Sequence, residues 1–150
     1  MTQQELEACL NRALDELFKT DLHLLHVDSS ERSISHRLAV HLMHETPEYD
    51  VDCEYNRDGF DIKRLGLYER DTKDDNTEAV TVFPDIIIHR RGGNKNNLLA
   101  IELKKWSSNI APDYDLLKLN AFRKELQYTY AVHITLGMVD KAPARKIVWV

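Results

Sequence analysis

Val82-Phe83-Pro84-Asp85-Ile86-Ile87-Ile88 and Leu99-Ala100-Ile101-Glu102-Leu103-Lys104-Lys105 are the two stretches that decide how this chain is built. Both are rich in branched apolar residues and read as strands, the first spanning Val80 to His89 and the second Leu98 to Lys104. Arg91-Gly92-Gly93-Asn94-Lys95-Asn96-Asn97 between them is a run of turn formers, which predicts that the two strands pair as a hairpin. Each strand carries charge in an apolar setting. Asp85 sits beside three isoleucines, where an ionised carboxylate is costly unless it is paired or bound to a cation. Pro84 has no N–H for a ladder, so the strand is expected to bend or lose a partner there. Glu102 and Lys104 alternate with Leu99, Ile101 and Leu103, which places the two charged groups on one face and the apolar ones on the other.

Outward from this centre the periodicity changes. Residues 3–19 set Leu6, Leu10, Ala13, Leu14 and Leu17 at helical spacing, and Ser30 to Glu45 does the same with Ile34, Leu38 and Leu42, stopping before Pro47. Tyr49, Val51, Cys53 and Tyr55 alternate with polar residues, the pattern of a half-buried strand. Asp58-Gly59 is expected to turn the chain into a partner strand around Phe60 to Tyr68, followed by the polar run Asp71 to Glu78. Asp113 to Gln127 is a further helix, with Leu116, Leu119, Phe122 and Leu126 on one stripe and acids in its first turn. Tyr130 to Leu136 and Lys146 to Val150 read as closing strands. The fold class is therefore α/β in the broad sense, an α+β mixture with a central mixed sheet flanked by helices.

Bulk properties set the outer bounds. A chain of 150 residues suits a single domain, taken as 1–150. There is no apolar run of the ~20 residues needed to span a bilayer, and no basic-then-apolar leader, so no membrane association and a cytoplasmic location are expected. Cys9 and Cys53, the only two cysteines, read as free thiols. The net charge of −5 does not favour nucleic acid, although a carboxylate metal site lowers apo charge without opposing phosphate binding once cations are present. Phosphate-loop and serine-elbow motifs are absent, which removes P-loop nucleotide hydrolysis and serine-hydrolase chemistry.

If the two central strands are neighbours, Asp85 and Glu102 meet. Two close carboxylates repel, and a divalent cation lets both stay ionised; oxygen donors of this kind suit Mg²⁺ or Mn²⁺. The backbone carbonyl of Leu103 is available as a further oxygen. A metal so held polarises a phosphodiester, and Lys104 is placed to orient the attacking water and to stabilise the charge that builds in the transition state.

Pro84-Asp85 followed by Glu102-Leu103-Lys104 resembles the PD-(D/E)xK signature of the restriction-endonuclease-like nucleases. The resemblance implies that fold, a metal-dependent hydrolysis of phosphodiester bonds in DNA, and an upstream helix bearing one more acid. Glu31 matches that acid, on the same helical side as Ile34 and Leu38. It has a second reading as an ordinary first-turn or capping-box acid. The resemblance covers about residues 30 to 136 in order of elements, and its sharp part is the two strands. The catalytic candidates are Asp85, Glu102, Lys104 and Glu31; the metal-binding candidates are Asp85, Glu102, Leu103 and Glu31.

Arg90, Arg91, Lys95 and Lys105 are candidates for gripping the nucleic-acid backbone, being near the site in sequence. Glu54 either joins the acidic cluster or, alternating with Asp50 and Asp52, lines a solvated strand face. His23-x-x-His26 and His41-x-x-His44 lack the cysteine partners of a structural zinc site. DNA is the expected partner, with a homodimer or larger complex in view because one small domain grips little duplex. The rival reading is a non-catalytic nucleic-acid-binding or assembly module that keeps the nuclease fold.

Overall fold

The computed structural model describes residues 1–58, 61–62, 64–65, 80–81, 83–93 and 95–150. Helix α1 (Gln3–Thr20) opens on a reciprocal cap: Glu5 N–H donates to Thr2 Oγ1 and Thr2 N–H donates to Glu5 Oε2. Its stripe of Leu6, Leu10, Ala13, Leu14 and Leu17 is buried. Helix α3 (Glu31–Glu45) starts where Ser30 accepts the Ser33 N–H, and it buries Ile34, Leu38 and Leu42. Between them a short helix α2 (Leu22–His26), absent from the sequence reading, turns the chain. His41 of α3 and Arg37 both reach Asp21 at that corner, at 2.8 Å each, so the first histidine of the second His-x-x-His pair is tied to a carboxylate.

The main sheet has five strands in the order β1-β6-β7-β8-β9. These are β1 (Asp50–Cys53), β6 (Ile86–His89), β7 (Leu99–Lys105), β8 (Tyr130–Val139) and β9 (Ala142–Trp149), with β2 (Arg57–Asp58) to β5 (Val80–Thr81) lying between β1 and β6 in sequence. Only β7 and β8 are parallel, joined through helix α4 (Asp113–Glu125). The expected antiparallel pairing of β6 with β7 is present, Ile86 opposite Ile101 and Ile88 opposite Leu99. Alternation along the strands feeds two cores. Ile86, Ile88, Leu99, Ile101 and Leu103 pack with α1 and α3, whereas Ile87, Ala100 and Ala131 pack with Leu119, Phe122 and Leu126 around α4. The result is a mixed sheet with helices on both faces.

Three expectations need correction. First, the strand around Val51 takes β6 as a neighbour, Val51 opposite Ile88, where the sequence reading gave it only the chain beyond the Asp58-Gly59 turn. Apolar β6 is central and must fill its second edge, which β1 does. Across the expected turn at Asp58-Gly59, Arg57–Asp58 pairs with β3 (Asp61–Ile62), and β4 (Arg64–Leu65) pairs with β5. The Gly59 turn itself, the rest of that expected strand and Asp71 to Glu78 lie outside the described residues. Second, the strand predicted over Val80 to His89 is interrupted: Phe83, Pro84 and Asp85 are not in a strand, so Asp85 stands just ahead of β6. Pro84 at the break accounts for this. Third, the closing strands form one longer hairpin, β8 with β9, turned by Asp140 and Lys141 at φ 50° and 67°.

Candidate active site

The break before β6 and the open end of β7 make one end of the sheet, and there the charged residues gather. Continuing the Ile86–Ile101 register by one residue sets Asp85 opposite Glu102 on the α4 side of the sheet. Asp85 Oδ2 accepts the Leu103 N–H at 2.7 Å, a bond that takes the place of the missing ladder. In a strand a residue's N–H and C=O leave on the same side, so the Leu103 carbonyl also faces this unpaired edge. Burial, with Glu31 and Asp115 adding repulsion, raises the Asp85 carboxyl above the usual range against the pull of Leu103 and Lys118.

Glu102 is buried, 3 % exposed, in the middle of β7. Its Oε2 accepts from Lys118 Nζ of α4 at 2.7 Å, while Oε1 is buried without a hydrogen-bond partner among the described residues. Burial first and the neighbouring Asp85 second push its carboxyl up to about 8. Lys104, one alternation further along β7, lies 3.1 Å from Asp115 Oδ2 and 3.9 Å from Glu31 Oε2. Burial opposes its charge, but the hydrogen bond and charge of Asp115 more than offset this and raise its pKa. Glu31 is brought in by the docking of α3 on β7: its Oε1 accepts the Lys105 N–H at 3.0 Å. The helix cap at that point is Ser30, so Glu31 is not spent on a capping box. Lys105 Nζ reaches Asp28 at 3.1 Å.

Asp85, Glu102, Lys104, Leu103 and Glu31 thus share one end of the sheet. Sequence reading missed the α4 and β8 side of the cluster. Asp115 sits between Lys104 and Lys118, the latter at 3.4 Å, with His133 Nε2 of β8 at 3.8 Å. Burial works against its ionised form, yet His133, Lys118 and Lys104 hold its carboxyl down at about 2. Asp115 belongs to the acids expected in the first turn of helix α4; only its i, i+3 spacing to Lys118, and a histidine in the apolar run Val132-His133-Ile134, hinted at a shared role.

Three of the four backbone-gripping candidates lie elsewhere. Arg90, Arg91 and Lys95 follow β6 at its far end, on the order of 15 Å from Asp85 by strand rise. Arg91 pairs with Asp52, which also holds His89 at 2.8 Å, and Arg90 stacks over Tyr49. Lys105 alone of the four is at the site.

On its α3 side Asp85 forms one wall of a cleft of about 160 Å³, together with Arg32, Ser35, Cys53 and Glu54. Glu54 adopts a left-handed φ of 48°, held by donation of its N–H to the Asp85 carbonyl at 3.2 Å, and its carboxylate accepts from Arg32 Nε at 2.6 Å. Burial and the neighbouring acids push the Cys53 thiol up to about 11, which leaves it a poor nucleophile at neutral pH.

Among the described residues no three His, Cys, Asp or Glu side chains are drawn together as ligands of one ion. Glu102 and Asp85 each have one oxygen hydrogen-bonded, by Lys118 and the Leu103 N–H respectively, while Glu31 meets the Lys105 N–H with one oxygen and Lys104 with the other. The donor set nonetheless suits a hard divalent cation, being all oxygen, and Glu102 Oε1 is a buried acceptor with no partner among the described residues. No helix among the described residues is long and apolar enough to cross a membrane.

No family model matches the chain, and neither a curated protein nor a solved structure matches it.

Proposed function

We propose that this chain is a metal-dependent nuclease of the restriction-endonuclease-like type that hydrolyses phosphodiester bonds in DNA. The observation that carries the reading is the Glu102 carboxyl. It is buried, raised to about 8 by burial and by Asp85, and has one oxygen without a partner among the described residues, on the same strand face as Lys104. Two acids set against each other at an open sheet end are poorly arranged for stability alone, and well arranged to receive positive charge. Asp85, Glu102 and the Leu103 carbonyl are the donors that would hold Mg²⁺ or Mn²⁺, with Glu31 beside them. Such an ion supplies Lewis acidity and charge neutralisation at the phosphate. Lys104 contributes a fixed ammonium that orients the attacking water and meets the charge building on the phosphate oxygens. Asp115 keeps that ammonium protonated and aimed. Lys118 holds Glu102 Oε2, which would leave Oε1 for such an ion.

One observation favours the rival reading of a non-catalytic nucleic-acid-binding or assembly module. Lys104 and Lys118 already have carboxylate partners on α4 and β7, a network that needs no ion. Cleavage of supercoiled plasmid with and without Mg²⁺ separates the two. The nuclease should nick or linearise DNA only with the metal, and Lys104→Ala should lower the rate at least about a hundredfold while the fold persists. Titration with Mn²⁺ should raise the melting temperature of the wild type and do so less in Asp85→Asn. A wild type indifferent to both metals, with DNA left whole, would falsify the nuclease reading.

A further inference from the structure

The cleft on the α3 side of Asp85 carries an unexplained polar group. Ser35 is 3 % exposed, and its hydroxyl has no hydrogen-bond partner among the described residues although it lines the cleft. Desolvating a hydroxyl without pairing it is unfavourable, so a partner that arrives with a ligand is the economical account. The remaining lining indicates what that ligand is. Among the described residues Arg32 is the one cation on the wall, and it is neutralised by Glu54 at 2.6 Å, while Asp85 adds a second acid. A phosphate would meet more negative than positive charge there, and a free cation would meet Arg32 at the mouth. A neutral group with both donors and acceptors fits the mixture: Glu54 accepts, Arg32 donates, and the Ser35 hydroxyl does either.

We propose that this cleft receives one unpaired nucleobase of the substrate strand, read along its hydrogen-bonding edge by Ser35, Arg32 and Glu54. The proposal rests on the phosphodiester reading of the Asp85 site, because Asp85 is shared by the two: a base seated here belongs to a nucleotide beside the reacting phosphate. A base held in a duplex cannot enter, so the preferred substrate is single-stranded, frayed or flipped at that position.

The test uses the full chain in EDTA, so that cleavage does not intervene, with a short fluorescein-labelled single strand, its duplex, and single strands carrying one abasic position in turn. Anisotropy should give at least roughly tenfold tighter binding of the single strand than of the duplex, and one abasic position should weaken binding about fivefold. Ser35→Ala should lose a similar factor at an unchanged or higher melting temperature, and should add nothing to the loss at that abasic position. A merely structural serine would instead lower the melting temperature and leave binding alone. The proposal is overturned if Ser35→Ala binds as the wild type does, or if no abasic position matters. It is equally overturned if free nucleosides stabilise the wild type as strongly as the strand does, since the cleft would then serve a small molecule. Metal- and Lys104-dependent plasmid cleavage without any Ser35 effect removes the base pocket and keeps the nuclease. Ser35-dependent binding without cleavage does the reverse.

Discussion

Glu102 shows how a single side chain sets the behaviour of this site. Its carboxyl titrates near 8 in the folded chain against about 4.5 when free of the fold. Across that interval the native state holds a proton that the unfolded chain has released, so folding stability contributed by this group is present below about 4.5 and is lost as pH rises through about 8. The melting temperature of the metal-free protein should accordingly fall over that window, and Glu102→Gln should flatten the decline. Parallel mutant and wild-type curves would mean that Glu102 does not carry the pH dependence. Lys118 and Asp115 frame the same point from α4. Removing Lys118 would leave the buried Glu102 carboxyl with neither oxygen hydrogen-bonded among the described residues, which costs more than the bond itself contributes.

At the scale of elements, the site depends on how β7 ends. After Lys105 the chain turns away, and the Trp106 N–H donates to the Leu136 carbonyl of β8 at 2.7 Å. That contact brings Trp106 against Gly137, where a Cβ would sit 2.6 Å from the Trp106 Cβ. Gly137 is thus required by close approach, and it keeps the end of β7 in place beside Lys104. Gly137→Ala should cost about 1–3 kcal/mol in chemical denaturation, the range for forcing an extra methyl into a packed contact. A neutral result would mean that the Trp106 segment moves freely aside. Helix α4 does a second job at this level. It crosses from β7 to β8, packs Leu119 and Phe122 on the sheet, and in the same first turns delivers Asp115 and Lys118 to Glu102 and Lys104.

For the whole molecule, the two ends of the sheet have separate tasks. The candidate site lies where β6 begins and β7 ends, whereas Arg90 and Arg91 follow the other end of β6, with Arg91 bound to Asp52. Arg91→Ala should therefore change the rate of DNA cleavage less than twofold and reduce stability by under about 1 kcal/mol, its guanidinium being more than half exposed. A large loss of DNA affinity in that mutant would extend the nucleic-acid surface to the far end. The stripes of α1, α3 and α4 and the apolar strands about Ile87 and Ile101 were legible in the chain itself, because side-chain period is a local property. So were Asp85 and the Glu102-Leu103-Lys104 triplet, since charge in an apolar strand stands out without any knowledge of the fold. Which strand fills the second edge of β6, what an α4 acid meets across the sheet, and that Arg90 and Arg91 meet Tyr49 and Asp52 were decided only in three dimensions. Pairing partners and distances between elements depend on how buried faces are shared out among all the layers at once, and no window of sequence contains that competition.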